Sequence, residues 1–206
     1  MRNIALAVQH SIAPLVEPMH EALESARHFI DVEHRGVVGK DQHWLRTANM
    51  RGSVFRYLKR QDLGDWFLDE SAHGQNGAVH LTNNDGTSQL RVLHASADQA
   101  DPVAGHSRRR RAYFTNNPLI EEEDLFGTVH HKLLMLWEEP DSESEFGLRV
   151  VRTLGPGTYG KSMKTDMLID MPRTKTDFES LEFVVQDEEL DYEIAEDEEE
   201  KGNGAG

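Results

Sequence analysis

Residues 155–162 read GPGTYGKS, and the choice between two readings of this octet decides the fold. As a literal match to G-x-x-x-x-G-K-[ST], it would be a phosphate-cradling loop in which Gly155, Gly160, Lys161 and Ser162 bind a nucleoside triphosphate and its magnesium. Such a loop needs a buried parallel strand before it and a substantial helix after it, with the helix N-terminus facing the phosphates. As a glycine and proline turn, it joins two strands of an antiparallel sheet.

The flanking sequence favours the turn. Upstream, LRVVRTL (148–154) carries Arg149 and Arg152, which suits a half-solvated strand better than one covered on both faces by helices. Downstream, Met167, Leu168 and Ile169 have the composition of a strand and leave no room for a helix before Pro172. The apolar run ending in acid, LLMLWEE (133–139), precedes the octet, the wrong order for a usual magnesium-holding strand. The octet also satisfies G-x-G-x-x-G, a weaker match for the same reasons.

Working outward, candidate strands are 66–69, 78–82, 89–94, 112–115, 132–138, 148–154 and 167–170, where apolar residues alternate or cluster in short runs. NNDG (83–86) and EPDSESEFG (139–147) have the chemistry of hairpin connections. Before Gly64 the period is helical. Ile4, Val8, Ile12, Leu15, Met19, Leu23, Ala26 and Ile30 recur at steps of three and four. Pro14 and Pro18 interrupt the stripe, so the expected helix is 18–33, with a separate short helix before it. A second helix is expected from an Asp41 N-cap to about Gln61, with Trp44, Ala48, Gly52, Phe55 and Leu58 inward. Helices followed by strands argue an α+β fold: N-terminal helices packed on a mainly antiparallel sheet, with a disordered acidic C-terminal tail.

Charge divides the chain in the same place. The chain carries −15, of which −12 lies beyond residue 176, so the preceding residues carry −3. The expected organisation is therefore one α+β domain over 1–176 and an acidic tail over 177–206. The tail has too little apolar surface to offset ordering entropy. A body of this length buries roughly 70% of its unfolded surface on folding, enough for a core without staples.

The absence of cysteine excludes disulfides, thiolate catalysis and cysteine-ligated metals. The start, MRNIALAVQHSIAPLVEP, has only five consecutive apolar residues, too few for a signal peptide. No stretch reaches the 18 or so apolar residues of a membrane span. The expectation is a cytoplasmic protein without a membrane partner.

Two basic concentrations suggest a partner. Between Gln42 and Gln61 there are five cations and no acid, and Arg56, Lys59 and Arg60 share an outer helical face. The run SRRRRAYF then places Arg108, Arg109, Arg110 and Arg111 beside Tyr113 and Phe114. Guanidinium groups beside aromatics neutralise phosphates and stack on unpaired bases. The bland alternatives are a solvated helix face and a loop paired with the protein's own acids.

Catalytic signals are weak. Eleven histidines include no H-E-x-x-H and no H-x-H, and the adjacent His130 and His131 point to opposite faces if on a strand. No lysine of the body has an acid two residues before it, as a restriction-type nuclease site requires. Serine-nucleophile motifs are absent. No cofactor is indicated.

Three functions remain open on these grounds. The first is a binding protein that contacts a phosphate-rich or acidic partner, nucleic acid included, through the arginine run and basic helix, modulated by its own tail. The second is a metal-dependent hydrolase of nucleic acid or nucleotides using His130, His131, Glu138 and Asp170. The third is an antitoxin-like interaction module whose acidic tail adds as a strand to a basic protein partner.

Overall fold

The computed structural model describes residues 2–36, 42–95, 102–117, 130–140, 145–158 and 163–181. The apolar stripe of the first 33 residues forms one nearly unbroken helical rod: α1 (Arg2–Ile12), a 3-10 turn (Ala13–Leu15), α2 (Val16–His28) and a π-helical turn (Phe29–Glu33). Both prolines are absorbed by this rod. Pro14 sits at the start of the 3-10 turn, and Pro18 lies in the first turn of α2, where backbone N–H groups have no intrahelical partner to lose. The helix α3 (His43–Leu58) packs against α2. Its expected cap, Asp41, lies outside the described residues, and the N-cap is Gln42.

The inward face of α3 differs in part from expectation: Phe55 and Leu58 are buried as expected, but Trp44, Ala48 and Gly52 are not. It consists of Met50, Val54, Phe55 and Leu58, while Trp44 is 72% exposed and Ala48 and Gly52 are half-buried. A stripe drawn through Trp44 follows the largest apolar side chain; the helix instead turns its smaller, C-terminal apolar set to the core.

Strands β1 (Trp66–Leu68), β2 (Val79–Asn83), β3 (Ser88–His94), β4 (His131–Glu138), β5 (Gly147–Thr153) and β6 (Thr165–Asp170) form one sheet in sequence order. Every pairing is antiparallel except β3 with β4, which is parallel. NNDG makes the β2–β3 hairpin: Gly86 has φ 71°, and the N–H of Thr87 donates to Asp85 Oδ1 at 2.8 Å.

GPGTYGKS connects β5 to β6, which are antiparallel neighbours. Only three residues separate Lys161 from the start of β6, so no phosphate-facing helix follows it. Gly157, at φ 71°, is held where an added Cβ would come within 3.3 Å of Val103, and Pro156 O accepts from Ala104 N at 2.9 Å. These contacts serve a turn packed on the preceding crossover. Gly160, Lys161 and Ser162 lie outside the described residues.

The parallel β3–β4 pair needs a crossover, and that crossover carries α5 (Arg108–Phe114). Residues 112–115, expected as a strand, are the end of this helix and its C-cap. Ser107 caps its N-terminus, accepting from the N–H of Arg110, and a run of three apolar residues cannot by its period distinguish a strand from the last turn of a helix. A short helix α4 (Glu70–Asn76), capped by Asp69 Oδ1 at 3.0 Å from Ala72 N, joins β1 to β2.

At β4 the sheet is covered on both faces, which explains the continuous apolar run of that strand. Leu133, Met135 and Trp137 face the N-terminal helices, and Leu134 and Leu136 pack with Phe114 of α5. The helix α6 (Lys175–Glu179) inserts Phe178, fully buried, into the larger core, and Gln9 Nε2 donates to Phe178 O at 2.8 Å. The folded body thus runs past residue 176. No helix among the described residues is long and apolar enough to cross a membrane.

Candidate polyanion-binding face

Three arginines from three separate elements lie close enough to act on one another's charge: Arg91 and Arg110 on the α5 side of the sheet, and Arg51 on α3, whose apolar residues belong to the larger core. On α3, Arg51 lies three, four and seven residues before Val54, Phe55 and Leu58, so helical spacing turns it to the inward side. On β3, Arg91 alternates with the core residues Leu90 and Val92, which directs it to the face opposite the N-terminal helices. On α5, Arg110 is half-buried while Arg108, Arg109 and Arg111 are exposed. Tyr113, one turn on from Arg110, packs against the smaller core, and its hydroxyl donates to Leu133 O at 3.1 Å.

The charges in this cluster act on one another. Burial lowers the pKa of Arg51, and the Arg110 guanidinium lowers it further. Burial likewise lowers Arg91, with Arg110 adding to the effect, Tyr113 opposing it and Arg51 adding a smaller share. His80, the cross-strand partner of Arg91, is pushed down to about 4 by burial and by Arg91, against a smaller opposing pull from Asp69. Its ring centroid lies 5.9 Å from that of Tyr113. The Nε atoms of Arg51, Arg91 and Arg110 and Nε2 of His80 are buried without a hydrogen-bond partner. Burial pushes the Tyr113 hydroxyl up.

The other half-buried or buried arginines with described ion pairs are arranged differently. Arg46 donates to Glu139 at 3.0 Å and to Asp31 at 2.7 Å, and these carboxylates raise its pKa. Arg152, 1% exposed, is paired with Asp166 and also donates to Asn117 O at 2.8 Å. Among the described residues, no carboxylate forms an ion pair with Arg51, Arg91 or Arg110.

The expected basic helix face does not act as a unit. Arg56 lies over the Phe29 ring at 5.7 Å and donates weakly to Ser53 Oγ. Lys59 pairs with Glu70 at 2.8 Å, and Arg60 is exposed just past the helix end. The electrostatic link from α3 to α5 runs instead through Arg51. Tyr113 is engaged by the fold and Phe114 is fully buried, so neither offers a ring to a partner. Arg51 could be traced by counting back from Phe55 at helical spacing. Arg91 carries no comparable signal, because one arginine in a half-buried strand is ordinary.

The four groups weighed for catalysis separate into two places. His130 and His131 stand at the start of β4, where His130 Nδ1 lies 3.1 Å from Gly86 O and His131 is pushed down to about 4 by burial, Arg152 and His130. Glu138 ends the same strand, about 23 Å away by strand rise. It shares a cavity of about 90 Å³ with Asp170 and Arg149, Asp170 lying opposite Arg149 across β5 and β6. Among the described residues no three histidines or carboxylates are grouped to hold a metal. Gly155 belongs to the β5–β6 connection. Comparison with protein-family models, with curated proteins and with solved structures finds no match.

Proposed function

We propose that this protein is a binding protein for a phosphate-rich polyanion, nucleic acid foremost, which it contacts through α5 and the arginines beside it. The observation that carries this reading is the grouping of Arg51, Arg91 and Arg110, half-buried, mutually repelling and without an ion-paired carboxylate among the described residues. Gathering like charges in a partly dry site raises the free energy of the unbound protein. Phosphate oxygens that accept from the free N–H groups would supply the missing countercharge, and guanidinium forks suit phosphate geometry. The exposed Arg108, Arg109 and Arg111 extend the same positive surface along α5.

The surplus of acid beyond residue 176 fits the same reading. A polyanionic segment competes in cis for a cationic surface, and that competition weakens as salt screens it.

The test is fluorescence anisotropy of labelled RNA and DNA with the full chain across a salt series. We expect log affinity to fall linearly with log salt, with a slope of about −0.7 to −0.9 per phosphate neutralised. Arg91→Ala and Arg110→Ala should each weaken binding and flatten the slope. If neither nucleic acid nor polyphosphate binds at low salt, the proposal is wrong.

A further inference from the structure

We infer that the polyanion is a single-stranded nucleic acid, and that Phe67 is the platform on which one of its bases stacks. This rests on the polyanion reading above and specifies its ligand.

The sheet face that carries Arg91 is only partly roofed. The smaller core beneath α5 draws its strand residues from Leu93, Leu134, Leu136 and Val151, on β3, β4 and β5. None comes from β1 or β2. On that uncovered side β1 presents Phe67, while Trp66 is buried in the larger core and Leu68 packs partly against it. Phe67 is 57% exposed, so most of this large aromatic surface is left unused by the fold.

Register fixes its neighbours. Phe67 is opposite Thr82, and His80 and Arg91 lie opposite one another two residues further along β2. Paired residues and residues two apart share a face, so Phe67 and Arg91 are on the same face of the sheet, Phe67 exposed near its β1 edge and Arg91 half-buried within electrostatic reach of Arg110 of α5. By strand spacing and rise, the Cα atoms of Phe67 and Arg91 are about 12 Å apart. An extended arginine side chain reduces that to the separation between a base and its phosphate within one nucleotide.

A flat aromatic beside cations selects for a ligand with both exposed π-faces and regular anionic charge. Unpaired nucleic acid has both. In a duplex the bases are stacked on each other and their faces are closed to a side chain. An acidic peptide supplies charge but no repeating planar group, so it leaves Phe67 without a role.

The experiment uses the full-length protein and three probes: a labelled oligouridylate of about twelve residues, the same strand annealed to its complement, and unlabelled inorganic polyphosphate as competitor. We expect the single strand to bind more tightly than the duplex. Phe67→Ala should weaken single-strand binding about tenfold, and Phe67→Trp should restore it. The affinity for polyphosphate, obtained from its displacement of the labelled single strand, should be the same in Phe67→Ala as in the wild type. Because Phe67 is exposed, Phe67→Ala should melt at the wild-type temperature. Equal affinity for single strand and duplex, or an unaltered affinity in Phe67→Ala, overturns this inference while polyphosphate binding leaves the wider reading standing. Loss of binding to all three probes overturns the wider reading itself.

Discussion

His80 on β2 and Arg91 on β3 are direct cross-strand partners, and the imidazole is kept neutral beside a guanidinium that has no ion-paired carboxylate among the described residues. Burial is the larger cause and Arg91 the second. The groups facing the ring are Arg91 from β3, Tyr113 from α5 and Asp69 at the end of β1.

Folding stability should therefore fall as pH drops from about 6.5 to about 4. In the unfolded chain His80 titrates near 6.5, whereas in the fold it titrates at about 4. Between these values the unfolded state binds more protons, so stability rises with pH. His131, also displaced to about 4 by burial, Arg152 and His130, adds a contribution of the same sign. Each should be about 1 kcal/mol, since partial exposure reduces the full linkage value. Urea unfolding at pH 7 and pH 4.5 measures the difference, and His80→Gln with His131→Gln should shrink it. An undiminished difference in that double variant would show that other groups cause the acid sensitivity.

Replacing Arg91 by methionine should stabilise the unliganded protein and weaken its binding. Arg110 and Arg51 both disfavour the charge on Arg91, and an unbranched apolar side chain can occupy much the same path without it. The expected gain is roughly 0.5–1 kcal/mol in urea unfolding, with polyanion affinity reduced roughly fivefold. A stability loss would indicate that Arg91 is held by favourable contacts and is not a strained binding group.

The Arg152–Asp166 pair behaves in the opposite way. Arg152 is 1% exposed, and Asp166 supplies the main opposing charge in a site where burial lowers the arginine's pKa. Asp166→Ala leaves a buried guanidinium with only neutral acceptors such as Asn117 O, at a cost of about 3–5 kcal/mol. The paired change Arg152→Met with Asp166→Leu should recover most of that loss. Thermal melting of the three chains tests both statements, and a mild Asp166→Ala variant would mean that Arg152 reaches water when its partner is removed.

These relationships differ in how far the sequence exposes them. Local patterns carry the antiparallel hairpin at residues 83–86 and the helical stripe through Ile12, Met19 and Leu23, though not its continuity through Pro14 and Pro18, because turn chemistry and side-chain period act over a few residues. The turn at GPGTYGKS follows from its flanks in the same local way. The parallel β3–β4 pair does not, since its crossover contains a seven-residue helix whose apolar content is only Ala112, Tyr113 and Phe114. Nor does the burial of Phe178, which lies among acids in a segment with a tail-like composition and is anchored by contacts 169 residues away in α1. The candidate site divides along the same line. The run at Arg108, Arg109, Arg110 and Arg111 is visible as a cluster of charge, but the selection of Arg110, and its meeting with Arg51 and Arg91, depends on packing across three elements. Arg56 and Lys59 drew attention by their spacing, yet Phe29 and Glu70 occupy them.

Neutralising the acidic segment within the full chain should strengthen polyanion binding. Residues 196–200 are Glu196, Asp197, Glu198, Glu199 and Glu200, five consecutive like charges that on the proposed reading would compete with an external polyanion for the exposed arginines on α5. Changing all five to their amides removes those charges without shortening the chain. Affinity for a labelled single strand should rise roughly threefold to tenfold at low salt, and the gain should shrink near 0.15 M salt, where charges more than about 8 Å apart are screened. Arg108→Ala combined with Arg109→Ala should erase the gain, because the competition acts through those cations. A gain that is the same at every salt concentration would point to non-electrostatic occlusion. No gain at any salt would remove the acidic segment from the binding mechanism and leave the arginine face to act alone.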